Sequence, residues 1–251
     1  MKQFFSFLIF IATLAGCQQP FQKLDCLSGE ALDSALLLNS NKKQIFRPCR
    51  EFTYKATYWD ADHNLISKNR VWMMPTGQAL PSQPSLQDEV IHQFQIDKGD
   101  VEKLISLNIN RTRPIDWKQM SRTGIIETDE QVWMHPILDN HYAFTYVAPY
   151  PKVMLPLAQG KTWKGGLYVS FGWGDWDYNE VEYTYEVLEQ TKIETPFRTF
   201  ENCWHVQSHA VASFGNSQHD FWFDEEFGFV KMQYLNYKGQ LLIFELEQVE
   251  G

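Results

Sequence analysis

The sequence predicts a mainly β protein: one large antiparallel meander sheet, a half-barrel or a sandwich, with a short N-terminal helix before it. Three observations carry this. Period-two alternation recurs, as where Phe52, Tyr54, Ala56 and Tyr58 oppose Thr53, Lys55, Thr57 and Trp59, and that period belongs to a strand with one buried face. Turn residues punctuate the alternating runs, as at 60–64 and at Lys238-Gly239. The 251 residues include 18 Phe, 11 Tyr and 9 Trp, side chains that favour strands and can fill a sizeable core.

The chain opens with one positive charge at Lys2, an apolar run over 4–14, and small residues at Ala15 and Gly16. That order is a secretory signal. The run is too short to span a bilayer, which needs about 20 apolar residues. Leu14-Ala15-Gly16-Cys17 resembles the lipobox of bacterial lipoproteins. The resemblance implies that 1–16 are removed and that the Cys17 thiol receives a diacylglycerol, with a further acyl chain such as palmitate on the new amine. It also implies an address on the periplasmic face of the outer membrane, since Gln18 is not Asp. Residues 17–25 would then form a lipidated N-terminus and short tether. Residues 26–251 would form a single mainly β domain, with 75–86 as the place where it would subdivide.

Along that domain, 31–38 (ALDSALLL) reads as a helix with Ser28 as its cap. After Cys49, 51–60 reads as a strand, 60–64 as a turn, and 65–74 as the returning strand stopped by Pro75. Residues 75–86 hold three prolines and read as a loop or linker. Residues 101–111 read as a strand, and 121–137 as a hairpin turning at Asp129-Glu130. Residues 161–171 form one run. Val181, Tyr183, Tyr185 and Val187 line one face of the next. Residues 198–214 make a long alternating strand, and 219–250 read as three strands joined by turns at Glu225-Glu226-Gly228 and Lys238-Gly239. In this strand–turn–strand rhythm, with GFVKMQY after FWFD, residues 180–250 resemble the open half-barrel sheets of envelope lipoproteins and lipoprotein carriers. The resemblance implies a concave apolar surface able to take acyl chains or a partner segment.

The chain is 44% hydrophobic with a net charge of −9, and about −10 once Lys2 leaves with the leader. That excess argues against nucleic acid as a partner and against a basic membrane-binding patch. Three cysteines would remain, and an oxidising envelope favours pairing. Cys26–Cys49 is the simplest pair, closing a small loop for about 3 kcal/mol. Three single-bridge choices stay open.

Several polar clusters are candidates for chemistry. Asp175, Asp177, Asn179 and Glu186 fall at positions 1, 3, 5 and 12 of a calcium-loop template, but Glu180 stands where Gly is needed. Trp173 and Trp176, with Asp175 and Asp177, could stack on and hydrogen-bond a sugar; a hairpin corner packed on the core would look the same. Cys203, His205 and His209 share parity on a predicted strand. Same-face neighbours lie about 6.8 Å apart, so His209 is too far from Cys203 to share a metal with it. His135 and His141 read as structural hydrogen-bonders. No nucleophile, phosphate-loop or zinc-helix signature occurs. We expect no metal and no cofactor.

The leading reading is a lipid-anchored envelope protein of non-enzymatic role, binding an apolar ligand or supporting an envelope assembly. The alternatives are an envelope hydrolase acting on glycans or esters, and a carbohydrate-binding module centred on Trp173 and Trp176.

Overall fold

The computed structural model describes residues 45–95, 99, 101, 102, 104 and 117–251. The leader, Cys17, the tether, the 31–38 stretch and Cys26 lie outside them.

The chain builds one antiparallel sheet, hairpin by hairpin. β1 (Glu51–Trp59) and β2 (Leu65–Ala79) are joined at Asp60, whose Oδ1 accepts the N–H groups of Asp62 and Asn64 at 2.9 and 2.8 Å. An aspartate that bonds the backbone two residues on is a turn-former for that reason. β3 (Asp88–Phe94), β4 (Met120–Glu127), β5 (Gln131–Met134) and β6 (Lys152–Met154) follow. β7 (Thr162–Tyr168), β8 (Glu180–Glu194), β9 (Thr199–Ala212), β10 (Gly215–Asp224), β11 (Gly228–Leu235) and β12 (Leu241–Glu250) complete the set. The twelve strands lie in the order β6-β5-β4-β3-β2-β1-β12-β11-β10-β9-β8-β7. The sheet curls into a nearly closed barrel. Its two edges, β6 and β7, are consecutive in the chain and are linked by 155–161, where Lys161 Nζ donates to the carbonyls of Met154 and Pro156, each at 2.8 Å.

The inner face is aromatic. Phe52, Tyr54 and Tyr58 of β1, Phe221 and Phe223 of β10, Phe229 and Tyr234 of β11, and Phe244 of β12 are all essentially inaccessible. This core is filled by the protein's own chain. Residues 135–151, between β5 and β6, cross the inner face and include a short 3-10 segment, Asn140–Val147. Tyr142 packs edge-on against Phe244 and Phe144 lies over Tyr58, with ring centroids 5.2 and 5.8 Å apart. Polar groups moor this crossing segment to the sheet. His141 Nε2 lies 3.1 Å from Ser67 Oγ of β2, and His219 Nδ1 of β10 lies 2.8 Å from the Pro149 carbonyl. The Tyr185 hydroxyl donates to the Tyr150 carbonyl at 3.1 Å.

The predicted strands and turns from 51 to 74, 121 to 134 and 162 to 250 are present, and the fold class is as predicted. Two local readings change. β2 does not stop at Pro75 but runs on to Ala79, with a register shift against β3 after Pro75; proline is tolerated where the ladder is already irregular. The stretch read as a strand from 101 is helical at its described positions Val101, Glu102 and Leu104. Val101 and Leu104 are spaced by three, so they share a helix face, and Leu104 is buried. Cys203 is fully buried, whereas its parity neighbour His205 is partly exposed and lies flat against Trp222 at 4.6 Å.

Candidate functional site

The residues singled out at 173–186 form a packed corner. Trp176 is 2% exposed, its Nε1 donates to the Tyr237 hydroxyl at 3.0 Å, and its ring packs near Phe214. Trp173 is half-buried and stacks on Tyr146 of the crossing segment, centroids 3.9 Å apart and planes 8° apart. A sugar platform needs two exposed coplanar faces. Burial of Trp176 in the core and occupation of the Trp173 face by Tyr146 remove it. Asp177 accepts the Trp173 N–H, and Asn179 Nδ2 donates to the carbonyls of Trp176 and Asp177, so both side chains hold the turn. Glu186 stands on β8 opposite Thr162 and Gln207. Among the described residues no group of three or more His, Cys, Asp and Glu converges to hold a metal. Cys49 is disulfide-bonded, to a partner outside the described residues. Cys203 is a buried free thiol whose pKa is pushed up to about 12 by burial and by Asp224.

The geometry that draws attention instead lies where β5 leaves β4. The two strands pair only over Ile125–Glu127, and the His135 N–H then donates to the Gly124 carbonyl at 3.0 Å. Pro136 follows, and the chain turns into the core. Just before β4 the Gln119 carbonyl accepts the Phe94 N–H at 2.9 Å, so odd-numbered positions bond to β3. Strict alternation points the N–H and C=O of the even positions to the other side. There Gly124 meets His135. Lys118 is met by the Asn140 side chain, which accepts its N–H at 2.7 Å and donates to its carbonyl at 3.0 Å. Between these two moorings no residue of β5 stands opposite Met120 or Arg122.

A cleft of about 630 Å³ opens along this gap, lined by polar residues that include His92, Ser121, Arg122, His135 and Asp139 and by the apolar Leu80, Met120, Pro136 and Leu138. Its charges are matched in pairs. Lys118 Nζ lies 3.2 Å from Asp139 Oδ1, and Arg122 Nη1 lies 2.7 Å from Oε2 of the buried Glu89. Gln87 folds over the outer side of β4 at Gly124, where an added Cβ would fall 1.7 Å from Gln87 Oε1. His92 and Ser121 are directly opposite across β3 and β4. His92 Nε2 and Ser121 Oγ are both buried and neither has a hydrogen-bond partner. Burial holds the His92 imidazole down to about 4, with Asp139 opposing the shift and His135 adding to it. His135 is likewise lowered by burial.

Chemically this is a site for hydrogen bonding. No hydrogen bond joins Ser121 to His92, and an imidazole that protonates only near pH 4 is a weak base at neutrality, so the pair is not an activated nucleophile. Sequence reading passed over His92 and Ser121. The available signal was parity: in Val90-Ile91-His92-Gln93-Phe94 the histidine occupies the inward row between a valine and a phenylalanine.

No family model and no curated protein matches this chain. Three solved structures are similar to it in shape. A candidate lipoprotein from Parabacteroides distasonis matches at 12% identity and a TM-score of 0.46, covering 82% of this chain and 97% of its own. A candidate exported protein with a YmcC-like fold from Bacteroides fragilis matches at 15% identity and a TM-score of 0.38, covering 82% and 98%. A LolA superfamily protein from Nitrosomonas europaea matches at 10% identity and a TM-score of 0.31, covering 90% and 94%. At such identities and TM-scores the likenesses lend no weight to a reading of function.

Proposed function

We propose that this is a lipid-anchored protein of the bacterial envelope with a non-enzymatic role, supporting an assembly by binding at its outer cleft rather than carrying an apolar ligand inside its sheet. One observation carries the choice between those two roles. The apolar inner face is already occupied, from Ile137 to Ala148, by side chains of the crossing segment that are nearly all inaccessible to solvent. Inner-face side chains with almost no accessible surface leave no open channel among them for an acyl chain. An open cleft lies outside, beside β4, and its lining mixes polar residues with Leu80, Met120, Pro136 and Leu138. The anchor rests on the lipobox at 14–17, and the outer-membrane, periplasm-facing address on Gln18.

Two measurements test this. Native mass spectrometry of protein extracted in mild detergent should give the mass of the acylated chain alone. A stoichiometric second lipid, bound non-covalently, would return the carrier reading. Replacing Cys17 by Ser should move the protein from the membrane fraction to the soluble fraction, and retention in membranes would refute the anchor.

A further inference from the structure

We propose that the gap in β4 receives an extended peptide segment of a partner protein, which pairs with the main chain of Met120 and Arg122 as a short added strand. This rests on the outer cleft being the working surface, and it adds what the cleft takes.

The main chain carries the inference. Met120 and Arg122 present two N–H and two C=O groups to the cleft, and β5 supplies none of the partners because its chain departs at Pro136. An incoming strand would take up the line that β5 abandons, running antiparallel to β4 in the space between β4 and Asp139. Unpaired strand groups are templates for such addition. Flanking pairings at Gly124 and Lys118 limit the window to these two outward-facing residues. That shortness also protects the edge from indiscriminate pairing between copies.

The side chains add selectivity. A peptide residue opposite Ser121 shares its face of the sheet. Beneath that face lie two polar atoms with no partner, Ser121 Oγ and His92 Nε2, both inaccessible to solvent. Rotation of the Ser121 hydroxyl toward the cleft would let a serine, threonine, asparagine or glutamine of the peptide pair with it, because each has a donor and an acceptor. A leucine or valine there would leave both unsatisfied. Charge contributes little, since Lys118 and Arg122 already face Asp139 and Glu89. Binding should therefore change by less than about threefold between low and high salt.

The test pans a random decapeptide display library against the full mature chain in detergent and measures the selected peptides by calorimetry. The expected peptides carry a small polar uncharged residue at one fixed position. Met120→Pro removes an N–H that faces the cleft and none that bonds to β3, so it should weaken binding by about 3- to 10-fold for the lost hydrogen bond. Met120→Ala, which keeps the N–H, should bind nearly as the parent does. Peptides N-methylated at alternate residues should lose binding in one parity and keep it in the other. That pattern carries the test even where Met120→Pro disturbs the fold. A library that yields no peptide sensitive to these changes overturns the proposal. So does chitotriose binding in the cleft with the Met120 and Arg122 amide signals unmoved, which would restore a carbohydrate reading. A co-purified interior lipid would instead strike the proposed function and leave the peptide result standing.

Discussion

Lowering the pH from 7 to 5 should destabilise this protein steeply, and three buried histidines set the size of the effect. His92, His141 and His219 are each at most 4% exposed and are held down to about 4, about 3 and about 3, in each case chiefly by burial. Each contacts the crossing segment or lies beside it: His92 near Asp139, His141 within the segment against Ser67, and His219 at the Pro149 carbonyl. In the unfolded chain a histidine protonates near 6.5. Below that value the unfolded state binds protons that the folded state refuses, so stability falls as pH falls. The full contribution is present above about pH 6.5 and is lost progressively down toward pH 3–4. At pH 5 each histidine should cost about 2 kcal/mol relative to pH 7, and the three together about 6. For a domain of this size that is a fall in Tm of roughly 10–20 °C. The carboxylates Asp220, Glu245 and Glu247, whose pKa values are lowered by their partners, act at more acidic pH and do not offset this window. Thermal melts followed by near-ultraviolet circular dichroism at half-unit pH steps provide the assay. His219→Gln should lower Tm at pH 7 yet reduce the slope between pH 7 and 5 by about a third. A Tm that stays level across this range would refute the assignment of these imidazoles as neutral and buried.

The Tyr183 hydroxyl is buried with no partner, so Tyr183→Phe should leave stability unchanged or raise it by up to about 1 kcal/mol in denaturant titration. Cys203 should not react with a thiol-specific disulfide reagent at pH 8 in the native protein and should react once guanidinium unfolds it, because its thiol is inaccessible and its pKa is about 12. Gly228 has φ +71°, and a Cβ there would lie 2.7 Å from Ile45 Cγ2. Gly228→Ala should therefore cost about 1–3 kcal/mol, read by the same titration.

Much of the fold was legible because one rule decides it. Where a strand has a buried face and an exposed one, as Val181 to Val187 of β8 do, side-chain parity alone reveals both strand and orientation. The rule fails where the parity itself shifts. In β9 Phe200, Cys203 and Val206 are all inaccessible although Cys203 is out of step with the other two, and the β8–β9 register shifts on either side of 203–205 are announced by no residue type. It fails again for 135–151, whose Tyr142 and Phe144 look like strand residues but pack as a plug, because their partners lie on β1, β11 and β12, far away in sequence. The 173–178 turn was correctly read as aromatic and polar. Burial of Trp176 depends on Tyr237 and Phe214, which only the folded sheet brings near. The β4 cleft was hidden for a different reason. It is made by the absence of a pairing, and a sequence records the residues of a strand without recording where its neighbour departs.

The position of the two sheet edges has a consequence for how the chain finds its fold. Ten of the eleven strand pairings join consecutive strands, and only β1 with β12 does not, placing Glu51 opposite Glu250. The chain is thus two independent zippers, β1 to β6 and β7 to β12, each able to grow from local hairpins at low loop-closure entropy. One late, long-range meeting makes them a single sheet. The slow step of folding should lie at the β1–β12 seam, between Phe52 and Tyr58 on one side and Leu242 and Val249 on the other. Errors of assembly should arise there too, since a β1 that reaches the wrong β12 would link two copies through an otherwise native sheet.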